Sequence, residues 1–214
     1  SGLNVSAQYA GLFGVIKDAE IRNVVVQGTV ASTSSGDAGG IAGRAVGTTN
    51  VIENCGNEAN VSGGSNVGGI LGNSQNYNTT VTVTGCYNSA SISASDRAGG
   101  IIGRYNNSNP RITDCYNTGA VSSSTYAAGI LAGSSSNISR CYNVGTITGK
   151  DASKTGAFTT SSYNTLTDCY YLTGSIPAGA LDNGANAMTL TEMQTTLLTA
   201  LGAEKWKQVR GVNQ

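Results

Sequence analysis

The sequence predicts an all-β chain wound as a three-sided, right-handed parallel β-solenoid of about six coils, with a short C-terminal capping helix. Three observations predict it. A glycine-bounded apolar motif, clearest as Ala98-Gly99-Gly100-Ile101-Ile102-Gly103, recurs from Ala10-Gly11-Leu12-Phe13-Gly14 to a worn Thr155-Gly156-Ala157-Phe158-Thr159. A second landmark, clearest as Ile112-Thr113-Asp114-Cys115-Tyr116-Asn117, follows each copy, and both return every 26 to 31 residues. Within that period lie three short β-prone runs divided by Gly, Asn and Ser, which suit the corners of a stacked coil better than helices.

Each coil is expected to begin with the strand typified by Gly100 to Gly103, its glycines serving tight corners and its apolar residues the core. The second strand runs through Arg111 to Tyr116. Three residues before each cysteine stands Ile21, Ile52, Val83, Ile112, Ile138 or Leu166, an odd spacing that puts the two rows on opposite strand faces. Both rows read as core, so a bend or bulge is expected between them, near Asn54, Asp114 and Asp168. In the third strand Val30, Val61, Ile92, Val121 and Ile147 supply the inward position, with polar Thr29, Asn60, Ser91 and Thr146 outward.

The five cysteines, Cys55, Cys86, Cys115, Cys141 and Cys169, occupy one row that begins with Val24. A position that accepts valine reads as an inward ladder of compact hydrophobes. Coils about 4.8 Å apart also lie within the Cα range of a disulfide, so pairing between neighbours stays open. Zinc finds little support without a CxxC pair or any histidine. Beside the cysteines run Val25, Gly56, Tyr87, Tyr116, Tyr142, Tyr170 and then Val26, Asn57, Asn88, Asn117, Asn143, Tyr171. These rows are expected to form stacked aromatic and amide ladders.

Length varies mainly between the glycine motif and the cysteine, so insertions gather on one edge, in residues 44–50, 73–80, 104–110 and 134–137. Solenoids commonly bind through such an edge. Tyr77, Tyr105 and Tyr163 fall there beside amides, and the candidate ligand-binding residues are Tyr77, Tyr105, Asn106, Asn107 and Tyr163. Flat rings with amide neighbours suit a sugar platform or a protein contact; the plainer alternative is that the rings pack over the coil below.

The repeats are assigned to residues 1–182 and a C-terminal cap to 183–214, with a helix over about 190 to 201. Thr189 and Glu192 form a capping box, and Leu190, Met193, Leu197, Leu198 and Leu201 follow at helical spacing before Gly202. This helix is expected to cover the open end of the solenoid, where backbone would otherwise lie unpaired.

Composition narrows function. Twelve Lys and Arg balance twelve Asp and Glu, so there is no basic stripe for nucleic acid or anionic lipid. No stretch approaches the length of a membrane span, and the chain enters a repeat almost at once, as a portion of a longer protein would. The absence of histidine removes serine-histidine and cysteine-histidine nucleophilic pairs and HExxH zinc sites. No cofactor and no metal are expected.

The composite Gly-Gly-Ile-Ile-Gly, variable loop, Ile-Thr-Asp-Cys-Tyr-Asn-Thr-Gly-Ala-Val-Ser resembles the GLUG repeat of bacterial surface proteins over residues 9–176. The tail from Cys169-Tyr170-Tyr171-Leu172 through Glu192-Met193 to Trp206 resembles the close of such arrays. The resemblance implies a bacterial cell-surface or secreted, adhesin-like protein. It also implies the non-catalytic repeats found beside immunoglobulin A-cleaving metalloproteases, whose HExxH motif is missing here. The first repeat departs from the pattern by lacking Cys and Tyr, the sixth by losing the Gly pair.

The expected function is therefore a non-catalytic extracellular module that meets glycans or host proteins through its variable edge, as a monomer within a multidomain chain. An inert spacer is the alternative. A polysaccharide lyase or hydrolase is a weaker one: Asp114 and Asp168 occupy one row, but Arg140 stands between them, and two coils apart they reach the outer limit for an inverting pair. An ice-binding face would need a regular threonine array, which Thr80, Thr82, Thr84, Thr146 and Thr148 do not form.

Overall fold

The computed structural model describes residues 2–74, 78–106, 110–133, 137–162, 165–202 and 206. Three parallel sheets enclose one apolar core. The six-stranded sheet stacks Glu20–Arg22, Thr49–Glu53, Thr80–Thr84, Arg111–Thr113, Asn137–Ser139 and Thr165–Thr167 in sequence order. Six rungs in one stack make about five full turns of a β-solenoid. A four-stranded sheet stacks Phe13–Lys17, Ala42–Val46, Leu71–Ser74 and Ile102–Tyr105, and single bridges at Leu131 and Thr159 extend it. A 15-stranded sheet wraps the rest.

Register follows the repeat. Ile52, Val83, Ile112, Ile138 and Leu166 stand one above the next. Ile52 through Ile138 in that row are almost wholly buried, as are Val30, Val61, Ile92, Val121 and Ile147, while Thr29, Asn60, Ser91 and Thr146 face outward. A fully buried side chain of this size contributes about 1.5–3 kcal/mol, so these rows are the main source of stability. At the N-terminal end the row of the glycine motif lies open: Leu12 and Phe13 are 39% and 43% exposed, whereas Ile41 and Ala42, stacked on them, are wholly buried.

The expected bend before the cysteines is present in every coil. Asn23, Asn54, Asp114, Arg140 and Asp168 have φ of 58°, 54°, 56°, 50° and 52°, and Gly85 has 63°. One left-handed residue turns the chain sharply, so the apolar residue two positions before it and the cysteine just after it both face inward. Asn, Asp and Gly adopt this conformation readily. Arg140 does not, and its guanidinium grips Asp114 of the coil below through Nε to Oδ1 and Nη2 to Oδ2, both at 2.7 Å. The pair lies partly in solvent, so it offsets only part of the strain. Arg140→Asn, which loses the pair but suits the backbone, should leave stability within about 1 kcal/mol. Arg140→Val, which loses the pair and forces a β-branched residue into that backbone, should cost about 2–3 kcal/mol. Chemical denaturation of both variants checks the ordering.

The first strand is placed differently from expectation. It runs from Ile102 to Tyr105, a separate strand occupies Arg97–Gly99, and Gly100 and Ile101 turn the corner between them. The glycine here is required by contact rather than by an unusual φ. A Cβ on Gly100 would lie 2.6 Å from Asn117 Cγ and 2.0 Å from Gly129 O, and one on Gly129 would lie 2.6 Å from Asn143 Cγ. Gly40 and Gly69 meet Asn57 and Asn88 in the same way. The two sequence landmarks are thus opposite sides of one interior contact.

The C-terminal end also differs. Its backbone partners come from an irregular last turn and not from a helix. Ser175 O accepts from Ile147 N at 2.7 Å, Leu181 exchanges two bonds with Thr155 and Ala157 at 2.8 Å each, and Asn186–Met188 pairs with Tyr170–Leu172. The helical region is two short helices, Leu190–Thr195 and Leu197–Leu201, with the expected Thr189–Glu192 capping box.

Candidate functional site

Two interior ladders, of asparagine and of cysteine, use up most of the recurrent polar chemistry. Asn57, Asn88, Asn117 and Asn143 are fully buried, and each Nδ2 donates to the Oδ1 of the next at 2.7, 2.7 and 2.8 Å. The same Nδ2 groups also bond the carbonyl two residues on, at Ala59, Ala90, Gly119 and Gly145. All five cysteines are buried free thiols. The backbone N–H of Cys55, Cys86 and Cys115 donates to the next cysteine's Sγ at 3.4, 3.4 and 3.3 Å. These thiols and amides are held by one another and by backbone, which leaves them no reach toward a ligand.

At the variable edge the structure overturns one expectation. Tyr105 is 1% exposed. Its hydroxyl donates to Thr79 O at 3.0 Å and accepts from Val81 N at 3.1 Å, bracing the backbone of the preceding coil. Backbone polar groups at the root of a loop need partners once water is excluded, and a tyrosine combines an apolar body with the polar tip that supplies them. Its ring is therefore closed to a ligand. Asn106 beside it is half-buried. Tyr77, Asn107 and Tyr163 lie outside the described residues.

The aromatic feature nearest the surface is instead the tyrosine row, in which Tyr87, Tyr116 and Tyr170 are half-buried and Tyr142 is buried. Tyr87 and Tyr116 stack with centroids 5.3 Å apart and planes 9° apart, Tyr116 and Tyr142 at 4.9 Å and 1°. The stack rests on Gly56, where a Cβ would meet the Tyr87 ring at 2.3 Å. Tyr87 donates its hydroxyl to Glu58 Oε1 at 2.8 Å, and Gln27 donates to Glu58 Oε2 at 2.7 Å. These donors, Gln27 first, hold the Glu58 carboxyl below its ordinary value, while burial and then Glu58 push the Tyr87 phenol up. Stacking uses the ring faces, so what the row offers outward is ring edges and hydroxyls. Trp206 packs against the row, tilted 60° to Tyr116 and 59° to Tyr142 with centroids 6.0 and 5.6 Å apart. Sequence reasoning missed this contact, although a lone tryptophan downstream of a tyrosine row was the available signal.

A shallow depression of about 510 Å³ lies at another edge, lined by Ser124, Thr125, Lys150, Asp151, Ala152 and Lys154. It exists because the turn between Gly149 and Thr155 is longer than its counterparts at Ser95–Asp96 and Ser124–Thr125 and carries a 3₁₀ turn. Asp151 caps that turn through Ser153, which holds its carboxyl below the ordinary value. Among the described residues no group of three His, Cys, Asp or Glu side chains is placed to hold a metal ion, and no helix is long and apolar enough to cross a membrane.

This geometry has a solved counterpart. A chain from Bacteroides ovatus, provisionally named an immunoglobulin A1 protease, superposes with a TM-score of 0.57 at 18% identity, covering 86% of this chain and 70% of its own. At that identity the likeness is one of fold. No family model and no curated protein matches the sequence.

Proposed function

We propose that this chain is a non-catalytic, extracellular module of a bacterial surface protein of the GLUG type, a rigid rod that presents its outer edges to glycans or host proteins. The observation that carries the reading is the commitment of Asp114. Its two oxygens are taken by Arg140, so the Asp114–Asp168 row, weighed as a source of paired catalytic carboxylates, holds Asp114 in a corner ion pair. The fold of the B. ovatus chain supports the setting, since its name associates that architecture with an immunoglobulin-directed protein. The burial of Tyr105 favours the spacer alternative to the extent that binding was to rest on that ring.

The test is a screen of the full chain against glycans and serum proteins, immunoglobulin A included, beside a Tyr77→Ala/Tyr163→Ala variant. Binding that falls at least about tenfold in the variant supports edge recognition. Binding unchanged in the variant removes the edge, and no binding at all leaves a spacer. Hydrolysis of any ligand that disappears in Asp114→Asn would overturn the non-catalytic reading.

A further inference from the structure

We infer that Arg97 and Arg104, with Tyr126 and Lys154 in the coils above them, form a site for the carboxylate of a uronic acid-containing glycan. The inference rests on the reading of the chain as a surface module and names the ligand class of one outer face. It sets recognition at the root of the variable edge and not on the loop tyrosines.

The coils beneath hold the same site with its carboxylate built in. Strand register stacks Asp37, Asn66 and Arg97 in one row and Arg44, Asn73 and Arg104 in a second. In the lower coils the rows meet. Arg44 Nε donates to Asp37 Oδ2 at 2.8 Å, and Asn66 and Asn73 add their Nδ2 groups to the same carboxylate at 2.7 and 3.2 Å. One buried carboxylate, neutralised by one guanidinium, thus ties both rows together.

One coil further up, both positions carry arginine. Half-buried Arg104 has no ion-pair partner among the described residues, and Arg97 has only Asp96 Oδ2 at 3.8 Å, too long for a hydrogen bond. The Arg97 guanidinium lies 4.0 Å over the Tyr126 ring, and its Nη1 donates to Ala132 O at 3.3 Å. A guanidinium pinned flat in this way is preorganised for a carboxylate. Lys154 approaches the same ring at 5.6 Å, and its one carboxylate neighbour, Asp151 at 4.0 Å, is engaged by Ser153. Lys154 also lines the shallow depression, together with Lys150, Ser124 and Thr125. In a chain of zero formal net charge, Arg97, Arg104, Lys150 and Lys154 therefore face only Asp96 and Asp151, and the surplus attracts an anion.

Hydrogen-bonding groups in the same place are also unmet by the chain. Asn66 Oδ1, Asn73 Oδ1 and Arg97 Nε are buried without a partner. Because the Nδ2 end of each amide is drawn to Asp37, each Oδ1 is turned away from it. A uronate carries both kinds of complement, a carboxylate for the cations and hydroxyl donors for such acceptors, and a depression edged by Ser124 and Thr125 suits a sugar ring.

Oligogalacturonate, and the same oligosaccharide with its carboxyls methyl-esterified, are titrated by NMR into the wild type and four variants of the full chain. These are Arg104→Gln/Lys154→Gln, Arg104→Glu, Tyr77→Ala/Tyr163→Ala and, as a control, Lys17→Gln at an exposed lysine of the first coil. The wild type, the control and the tyrosine variant should bind the free acid saturably and the ester at least about tenfold more weakly. The Arg104→Gln/Lys154→Gln variant should lose at least about tenfold in affinity for the acid. Arg104→Glu supplies the missing carboxylate from the chain itself, so it should abolish binding without lowering Tm. No saturable binding by the wild type, equal binding of acid and ester, or unaltered binding by the Arg104→Gln/Lys154→Gln variant overturns the inference. Binding that survives in that variant and is lost in Tyr77→Ala/Tyr163→Ala overturns it too, while leaving recognition by the variable edge standing.

Discussion

Asn117→Asp is expected to destabilise the protein by about 3–5 kcal/mol at neutral pH, among the largest single-residue effects the fold allows. Asn117 is fully buried, accepts from Asn88 Nδ2 at 2.7 Å, and donates to Asn143 Oδ1 at 2.8 Å and Gly119 O at 2.9 Å. A carboxylate keeps the accepting side but sets an anionic oxygen against two acceptors in a site without water. It cannot swing aside, because Gly100 already touches the side chain. Asn117→Ala should cost less, about 1–3 kcal/mol, since Asn88 Nδ2 retains Ala90 O. The new carboxyl has a folded pKa raised above its unfolded value of about 4. Its penalty is therefore absent below that value, grows as pH rises, and levels off above the folded pKa. Denaturant unfolding across pH 4 to 8 reads both the magnitude and the sign. An aspartate milder than alanine at neutral pH would mean that the amide ladder is not what binds the coils together.

That ladder also shows where sequence reasoning reaches its limit. Periodicity at a fixed spacing places residues into rows, and stacking turns rows into ladders, so the Cys, Tyr and Asn rows and the inward valines and isoleucines could be read directly. The bend before the cysteine was legible for a similar reason, since two core rows at odd spacing require a local reversal of face. What periodicity does not carry is contact across the coil. Gly100 and Asn117 belong to different rows, and only the cross-section brings them together. The direction of a side chain where a strand runs out is likewise invisible, because alternation fails there. Tyr105 sits at such a place, and its loop position suggested an outward ring where the backbone of Thr79 and Val81 draws it in. The C-terminal end misled by analogy: a helix can cover unpaired backbone, but here residues 173–188 supply those partners first.

The folded protein should leave all five thiols unmodified by an alkylating reagent, slowed by roughly a thousandfold or more relative to the unfolded chain, because reaction requires opening of the core. All five cysteines are buried, and the Sγ of Cys86, Cys115 and Cys141 sits over the backbone N–H of the cysteine below. Oxidation to a disulfide would have to break those bonds, which explains why coil spacing alone does not produce pairing. The same packing makes stability depend on alkaline pH. Burial pushes Cys169 from its ordinary 9.0 up to about 11. Bonding to the next cysteine first and burial after it push Cys55 and Cys86 up, and burial first does so for Cys115. A thiol whose folded pKa is raised adds stability that is complete below the unfolded value. That stability is lost as pH rises from 9.0 toward the folded one. Stability should therefore fall steeply above pH 9.0, with several groups contributing at once. Cys55→Val should flatten the fall without loss at neutral pH, since Val24 holds the equivalent place in the first coil. Intact mass after alkylation, with and without denaturant, distinguishes none from five adducts. Labelling of one or two cysteines in the folded protein would show that the ladder opens rung by rung rather than as a unit.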